Sequence, residues 1–184
     1  IHPRLPNRAI EVYGPPPTSG TRDAFVELVM EEGCGHFPEF AAAYPDAKER
    51  SKKCHLLRED GGYIDSGEDD NIIVQKLVSN ENAMGILGYS FYMENASKIQ
   101  VNKVGGVLPS FESIESGAYG VSRSLYIYVK KQHVGTIPGI PEFIWEVTSE
   151  NAAGPEGYMT AKGLLPLNAE KRKAMRAVAI GLAK

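Results

Sequence analysis

Apolar and polar residues along this chain follow two periods, one typical of strands and one typical of helices. Residues 10–13 are mostly apolar, and the prolines at 15–17 end the predicted strand because proline offers no N–H to a ladder. Apolar residues then recur every three to four positions, which predicts a helix over residues 20–32. Thr18 and Ser19 precede this helix, and both residue types are preferred as helix N-caps.

The alternation of strands and helices continues to the end of the chain. A buried strand is predicted at residues 84–89, and a period of two predicts strands at 99–104 and, most clearly, at 124–130. Residues 1–9 are predicted to form an N-terminal arm and residues 58–70 a turn-rich acidic stretch. Helices are predicted at residues 68–79, 90–96, 111–116, 141–149 and 169–182, with partly helical structure at 36–56. Strands that alternate with helices indicate an α/β fold.

Composition limits the classes of protein that fit this sequence. The chain has 184 residues, of which 42% are apolar and 23% charged, which is typical of a folded globular domain and unlike a disordered chain. Lys and Arg number 20 and Asp and Glu 23, so no basic surplus neutralises a nucleic-acid backbone, and we predict no nucleic-acid partner. No apolar run is long enough to cross a bilayer. Because the sequence starts at Ile1, we expect a processed N-terminus or a piece of a longer protein.

The two cysteines, Cys34 and Cys54, leave three interpretations open. A disulfide would close a loop of about 20 residues, and an extracytoplasmic setting would favour it. Two free buried thiols would behave as small apolar side chains. Together with His36 and His55 the cysteines could also bind zinc, although adjacent Cys54 and His55 fit the usual ligand spacing poorly.

The segment most suggestive of chemistry is Ser19-Gly20-Thr21-Arg22, where a predicted turn opens a helix. The first N–H groups of a helix have no partners inside it and lie at its positive end, so they can bind an anion. Gly20 allows close approach of the main chain, and the hydroxyls of Ser19 and Thr21 can donate to a tetrahedral oxyanion. The planar guanidinium of Arg22 suits phosphate. The same four residues also fit an ordinary helix cap, with Arg22 paired to a carboxylate.

Residues 13–25, which contain this segment, resemble the phosphate-binding loop of the periplasmic phosphate-binding proteins that serve bacterial ABC importers. Further stretches are similar to the same family in the same order along the chain. They are Arg58-Glu-Asp-Gly-Gly-Tyr, Asn71-Ile-Ile-Val-Gln-Lys-Leu, Met84-Gly-Ile-Leu-Gly-Tyr-Ser-Phe-Tyr, Ser122-Arg-Ser-Leu-Tyr-Ile-Tyr-Val, and Gly157-Tyr-Met with Gly163-Leu-Leu-Pro-Leu. The resemblance therefore extends over nearly the whole chain.

The resemblance implies both a fold and a function. The implied fold is an incomplete α/β lobe, periplasmic-binding-protein-like (type II). Residues 1–124 would form the phosphate-binding second lobe, and residues 125–184 a return crossover and C-terminal helices that normally join the first lobe. The implied function is binding of inorganic phosphate, with no catalytic residue, cofactor or metal, and delivery to an ABC permease from a periplasmic or extracytoplasmic location. Ser19, Gly20 and Thr21 match the ligands that the second lobe contributes.

Two departures from the family pattern lead to further expectations. Many members have an arginine four residues before the serine, where this chain has Pro15; Arg22 is the nearest substitute and Arg58 a weaker candidate. Members also begin with a lobe that supplies further hydroxyls and an aspartate, so we expect this chain to be the C-terminal part of such a protein. A second copy or the missing N-terminal lobe would then cover apolar residues that are otherwise exposed, namely Phe143, Ile144, Trp145, Leu164 and Leu165.

Three other functions stay open on the sequence alone. The protein could bind another oxyanion, sulfate or molybdate, because main-chain N–H groups bind any of them. It could hydrolyse phosphate esters, although its four histidines show no paired spacing with carboxylates and no Gly-x-Ser-x-Gly elbow is present. It could also be a signalling or adhesion module that keeps the fold without the ligand.

Overall fold

The computed structural model describes residues 7–183, which divide into two compact units. The first unit extends to Gly106 and includes Gly120–Ser122, and the second comprises Val107–Tyr119 and the chain from Arg123 onward. Most of the arm predicted at residues 1–9 lies outside the described residues. The predicted division after residue 124 refers to the lobes of a longer protein and stays a prediction.

The first unit contains a parallel three-stranded sheet in the order β2-β1-β3. Its strands are β1 (Val12–Gly14), β2 (Tyr63–Asp65) and β3 (Met84–Gly85), with Val12 opposite both Tyr63 and Met84. Because all three strands are parallel, their carboxyl ends meet at one edge of the sheet. Together with the helices described below, this sheet confirms the predicted α/β fold class.

A continuous helical run follows β1 and begins at the predicted residue. Helix α1 spans Gly20–Phe25, a π-helical stretch spans Val26–Glu31, and α2 spans Glu32–Cys34. The sequence predicts the run but not its π-helical middle, in which hydrogen bonds join residues five apart rather than four. Val26, at the start of the π-helical stretch, is buried in the core of the unit.

A disulfide joins the end of this run to the end of a later helix. Helices α3 (Pro38–Ala43) and α4 (Ala47–Cys54) follow the run, and Cys54 is bonded to Cys34. The disulfide hypothesis is therefore confirmed, and the free-thiol and zinc hypotheses are wrong. Residues 7–183 contain no cluster of three or more His, Cys, Asp or Glu side chains that could hold a metal ion.

A polar cluster beside the disulfide also holds α4 against the helical run. The Glu31 carboxylate lies 2.7 Å from Nε2 of His55 and accepts a hydrogen bond from the Ser51 hydroxyl at 3.1 Å. The bond with His55, followed by the bond from Ser51, holds the pKa of Glu31 below its usual value. The two helices therefore have polar contacts in addition to their covalent link.

Two helices return from the carboxyl edge of the sheet. Helix α5 (Asp70–Ser79) follows β2, and α6 (Tyr89–Glu94) follows β3. Ile73 of α5 has no exposed surface and lies so close to β3 that a Cβ added at Gly85 would be 3.1 Å from its Cγ2 atom. Complete burial of an isoleucine side chain contributes about 1.5–3 kcal/mol to stability. This packing fixes the position of α5, and hence of its N-terminus, relative to the sheet.

Three strand predictions are wrong in whole or in part, and β2 is a strand that the sequence pattern does not predict. Only Met84–Gly85 of the strand predicted at residues 84–89 pairs, and Met84 is 48% exposed rather than buried. Residues 99–104 and 124–130 form no strand in the described part of the chain. Alternation determines which face a side chain would take, but a strand also needs a ladder of hydrogen bonds with a neighbour. Within residues 7–183 neither segment forms a ladder, and residues 99–104 contain only an isolated bridge at Val104. The three residues of β2 lie in a stretch rich in Gly and Asp, a composition typical of turns.

The second unit is helical. Its helices are α7 (Phe111–Glu115), α8 (Ile140–Val147), α9 (Glu150–Ala153) and α10 (Ala169–Leu182), with short 3-10 turns at Lys131–His133 and Thr160–Lys162. Nε of Arg172 on α10 donates to the Glu150 carboxylate at 3.0 Å. Arg176 donates to the main-chain oxygen of Trp145 and, at 2.9 Å, to the Thr148 hydroxyl. The helices predicted at residues 111–116, 141–149 and 169–182 are confirmed within two residues at each end.

The expected exposure of apolar residues in this unit is confirmed for two of the five. Phe143 is 56% exposed and Trp145 is 42% exposed. The expectation is wrong for Ile144, which is buried, and for Leu164 and Leu165, which are half-buried, because neighbouring parts of the chain cover them. No helix within residues 7–183 is both long enough and apolar enough to span a membrane.

Candidate functional site

The carboxyl edge of the parallel sheet brings together the residues that follow each strand. Ser19 follows β1, Ser66 follows β2, and Gly88 follows β3. The chain then enters α1, α5 and α6, so the N-termini of three helices lie at this edge. Ligands of open parallel sheets bind outside the carboxyl ends of the strands, and helix N-termini favour negative charge. This edge is therefore the candidate functional site.

Ser19 caps α1 in a geometry that also suits an oxyanion. Its side-chain oxygen accepts a hydrogen bond from the Thr21 N–H at 3.2 Å, and its own N–H donates to the Pro16 carbonyl at 3.0 Å. A hydroxyl that accepts one hydrogen bond still carries a proton that it can donate. Ser19 is buried, Thr21 is half-buried and Gly20 is exposed. The structure thus shows the predicted cap, with Gly20 at the surface of the candidate site.

Arg22 lies over an aromatic ring that the sequence did not indicate. Its guanidinium carbon is 5.3 Å from the centre of the Tyr63 ring, and the Tyr63 hydroxyl donates to the Pro15 carbonyl at 2.7 Å. Burial raises the pKa of the Tyr63 hydroxyl, and the positive charge of Arg22 acts in the opposite direction. The phenol is therefore neutral at neutral pH. No sequence signal identifies Tyr63 as a contact of Arg22 and Pro15, because these two residues are 41 and 48 positions away along the chain.

We expect Gly14→Ala to destabilise the protein by about 1–3 kcal/mol, as overpacking of a filled position does. A Cβ built at Gly14 would clash with the Tyr63 hydroxyl oxygen and lie 2.7 Å from two ring carbons, so the ring must move. The matched control is Gly33→Ala, since a Cβ at Gly33 meets nothing within 4 Å. Urea unfolding followed by circular dichroism measures the stability of both variants. Equal unfolding midpoints would show that the Tyr63 ring moves aside without destabilising the protein.

Arg58, the weaker candidate for the positive charge, does not lie at this edge. It precedes the amino end of β2, whereas Ser19 follows the carboxyl end of β1, and these are opposite edges of a parallel sheet. Its guanidinium donates to both oxygens of the Asp60 carboxylate, through Nε at 2.6 Å and through Nη2. This bidentate pair lowers the pKa of Asp60 to about 2. Of the two arginines, the structure brings only Arg22 to the candidate site.

Asp70 links two of the three helix N-termini. It is only 6% exposed, and its Oδ2 atom accepts a hydrogen bond from the Gly88 N–H, at the start of α6, at 2.8 Å. Its neighbour Asp69 caps α5 by accepting from the Asn71 N–H at 2.9 Å. Burial raises the pKa of Asp70, although the bond from Gly88 opposes the shift. The acidic start of α5 therefore serves capping and packing.

The pH dependence of stability is expected to differ between the wild-type protein and Asp70→Asn. A carboxyl group whose pKa is raised on folding stabilises the protein fully below its unfolded pKa of 3.8, and this contribution is lost as the pH rises through the raised value. The unfolding free energy of the wild type relative to Asp70→Asn should therefore fall as the pH rises from about 4 to about 7. Urea unfolding at several pH values measures this difference in unfolding free energy. A difference that rises with pH would contradict a raised pKa of Asp70.

Further polar side chains complete the edge. Nζ of Lys76 donates to the buried Ser66 hydroxyl at 3.1 Å and lies 5.0 Å from the centre of the Tyr13 ring. The Thr18 hydroxyl donates to the Glu68 carboxylate. The edge therefore combines hydroxyl and N–H donors and two cationic side chains, which suit an anion, with the carboxylates of Glu68, Asp69 and Asp70.

Comparison with known proteins finds relatives that match most of this chain. A family model described as "PBP superfamily domain" matches residues 2–151. The chain is 28% identical over 161 residues to the phosphate-binding protein PstS of Staphylococcus saprophyticus, which covers 85% of this chain and 42% of that protein. It is 27% identical over 175 residues to the protein SphX of Synechocystis sp., covering 92% of this chain and 44% of that protein.

A solved structure shows the same fold. It is the crystal structure of a possible phosphate binding protein from Planctomyces limnophilus, which is 27% identical to this chain with a TM-score of 0.61. The match covers all of this chain and 57% of that protein. This chain thus spans less than half the length of the curated relatives named above. Because the family model matches well over half of the chain, the protein belongs to the PBP superfamily domain family.

Proposed function

We propose that this protein binds inorganic phosphate at the carboxyl edge of its sheet and delivers it to an ABC permease as an extracytoplasmic solute-binding component. The observation that carries the proposal is the capped segment Ser19-Gly20-Thr21 at the start of α1, next to the Arg22 guanidinium. Relatives named as phosphate-binding proteins support it. The disulfide between Cys34 and Cys54 agrees with an extracytoplasmic location.

Each residue of the segment has a defined part in binding. The hydroxyls of Ser19 and Thr21 donate to phosphate oxygens, and Gly20 allows close approach because it has no side chain. Arg22 supplies a fixed positive charge and planar donors. Charge-assisted hydrogen bonds of this kind are stronger than neutral ones, so a few of them bind an oxyanion tightly once water is excluded.

The remaining phosphate contacts come, in this proposal, from chain outside the given sequence. The chain spans less than half the length of its curated relatives, and an anion held between two lobes needs ligands from both. The isolated chain is therefore expected to bind phosphate weakly. A missing N-terminal lobe is the partner that we propose, with a second copy of the chain as the alternative.

Residues 124–130 are the segment that such a partner would cover. They alternate as a strand does, yet Leu125 is 81% exposed, Tyr126 73% and Tyr128 90%. Residues 124–130 form no β-ladder with any part of residues 7–183, and a segment without a ladder is a template for pairing with another strand. In the complete protein we expect the main-chain amides of this segment to exchange slowly with deuterium. Rapid exchange there would contradict the proposed pairing.

Titration calorimetry tests the function on the protein made from its complete reading frame. Phosphate, sulfate and molybdate are titrated separately, because main-chain N–H groups alone bind all three. The proposal is supported if phosphate binds tightly and the other two anions do not. Tight binding of sulfate or molybdate would assign a different ligand. Absence of binding by all three would favour a module that keeps the fold without the ligand. A chromogenic phosphate ester tests hydrolysis, and turnover would assign the protein to the phosphate-ester hydrolases.

A further inference from the structure

We propose that Tyr63 is the positioning residue for the cation of the phosphate site, holding the Arg22 guanidinium at the carboxyl edge of the sheet. The inference rests on the proposed phosphate-binding function and adds a residue to it. An arginine has several rotatable bonds, and freezing them on binding costs conformational entropy. A ring that holds the guanidinium before the anion arrives reduces this cost.

The Tyr63 side chain is itself fixed at two points. Its ring crosses Gly14 so closely that no Cβ fits there, and its hydroxyl donates to the Pro15 carbonyl at 2.7 Å. These contacts tie the first residue of β2 to the turn that leads into α1. Pro15 has almost no exposed surface, so the carbonyl that accepts this bond belongs to an immobile turn. The ring is therefore a rigid platform.

The Arg22 guanidinium interacts with both the ring and the hydroxyl of Tyr63, and its interaction with the hydroxyl lowers the pKa of that group against the effect of burial. A guanidinium carries five N–H donors in one plane, so contact with one tyrosine leaves donors for an external oxyanion. Within residues 7–183 Arg22 forms no ion pair with a carboxylate. Its charge is therefore not matched by a protein anion in the described part of the chain. These two facts suit a residue that binds an external oxyanion along the edge of its guanidinium.

Proline at residue 15 cannot supply a positive charge, and Arg22 is the cationic residue next to the segment Ser19-Gly20-Thr21. A side chain at that position would start from the turn before α1, whereas Arg22 starts from the first turn of the helix itself. Without Tyr63 the Arg22 side chain has no aromatic contact to orient it toward the turn. Tyr63 and Arg22 are therefore expected to act as a pair.

A double-mutant cycle tests the pair on the complete protein, with inorganic phosphate as the ligand. We expect Tyr63→Leu to weaken phosphate binding roughly two- to thirtyfold, the range of a cation–π contact. In an Arg22→Ala background the same substitution should have no further effect. Tyr63→Phe keeps the ring but loses the hydroxyl contacts to Pro15 and Arg22, so it should weaken binding less than Tyr63→Leu does. Equal weakening by Tyr63→Leu in both backgrounds would show that Tyr63 acts on stability alone and would overturn the inference.

A second measurement does not depend on phosphate. The ring current of Tyr63 should shift the Arg22 Nε–H resonance upfield in the wild type and in Tyr63→Phe, but not in Tyr63→Leu. Absence of this shift in the wild type overturns the inference and leaves the proposed function standing. Absence of phosphate binding by the wild type overturns the proposed function, and the assigned role of Tyr63 with it.

Discussion

Replacing both Cys34 and Cys54 with alanine is expected to lower the free energy of unfolding by about 3 kcal/mol, the value for a loop of this length in the chain-entropy model. The two residues are 20 positions apart, so the bond restricts the unfolded chain considerably. Cys54 is also buried, with 3% of its surface exposed, and alanine fills less of that space. Urea unfolding monitored by circular dichroism gives the difference.

The polar cluster of Glu31, Ser51 and His55 makes this experiment practicable. These side chains continue to hold α4 against the helical run when the covalent link is removed. The control is the effect of a reducing agent, which should shift the unfolding midpoint of the wild type and leave that of the double variant unchanged. A wild-type midpoint that does not respond to reduction would show that the bond contributes nothing to stability.

Thr21→Val is expected to weaken phosphate binding by about 1.5–3 kcal/mol, or roughly ten- to 150-fold. Valine has nearly the shape of threonine, so the substitution removes a hydroxyl donor without opening a cavity. The loss has the size of a hydrogen bond to a charged group, because the phosphate oxygen that it contacted is left without a donor. Titration calorimetry of the complete protein with inorganic phosphate measures the change.

Thr18, three residues before Thr21, supplies a matched control for this substitution. Its hydroxyl donates to the exposed Glu68 carboxylate rather than facing a ligand, so Thr18→Val should change phosphate affinity little. If Thr21→Val leaves the affinity unchanged as well, Thr21 does not belong to the site. If both variants lose affinity equally, the site includes the turn before α1 and is larger than we propose.

Local residue chemistry accounts for the elements that the sequence predicts correctly. Helix α7 begins where the side-chain oxygens of Ser110 and Ser113 each accept a hydrogen bond from the other residue's main-chain N–H. It ends ahead of Gly117, whose φ of +76° favours glycine. Helix α10 is capped by Asn168, whose side chain accepts a hydrogen bond from the Lys171 N–H. Such signals lie within four residues of the boundary that they set. A sequence pattern therefore contains them completely.

Contacts between distant segments account for what the sequence does not predict. Residues 124–130 have the strongest strand pattern in the chain, but no partner for them exists within residues 7–183. The three-residue strand β2 has almost no pattern, yet it pairs because β1 lies beside it. Burial of Ile144 likewise depends on how α8 packs in its unit. In each case the deciding interaction involves residues far away along the chain.

In the candidate site, too, the sequence predicts the local feature and misses the contact between distant residues. The segment Ser19-Gly20-Thr21 is contiguous, so the sequence indicates it directly. The choice between Arg22 and Arg58 could not be made from the sequence, because Arg58 is matched by Asp60 and Arg22 depends on Tyr63, a residue of another strand. The contact between Arg22 and the Tyr63 ring is therefore seen only in the folded chain.

The π-helical stretch at Val26–Glu31 determines which insertions and deletions the first unit can tolerate. Each residue of an α-helix advances the chain by about 100° around the axis, so a deletion in α1 or α2 would swing the Cys34 sulfur away from Cys54. A π-helical bulge accommodates one additional residue within an α-helix. Deleting one residue inside this stretch would instead restore regular winding and keep Gly20 and Cys34 in phase. Length variation among natural homologues of this run is therefore expected to concentrate there.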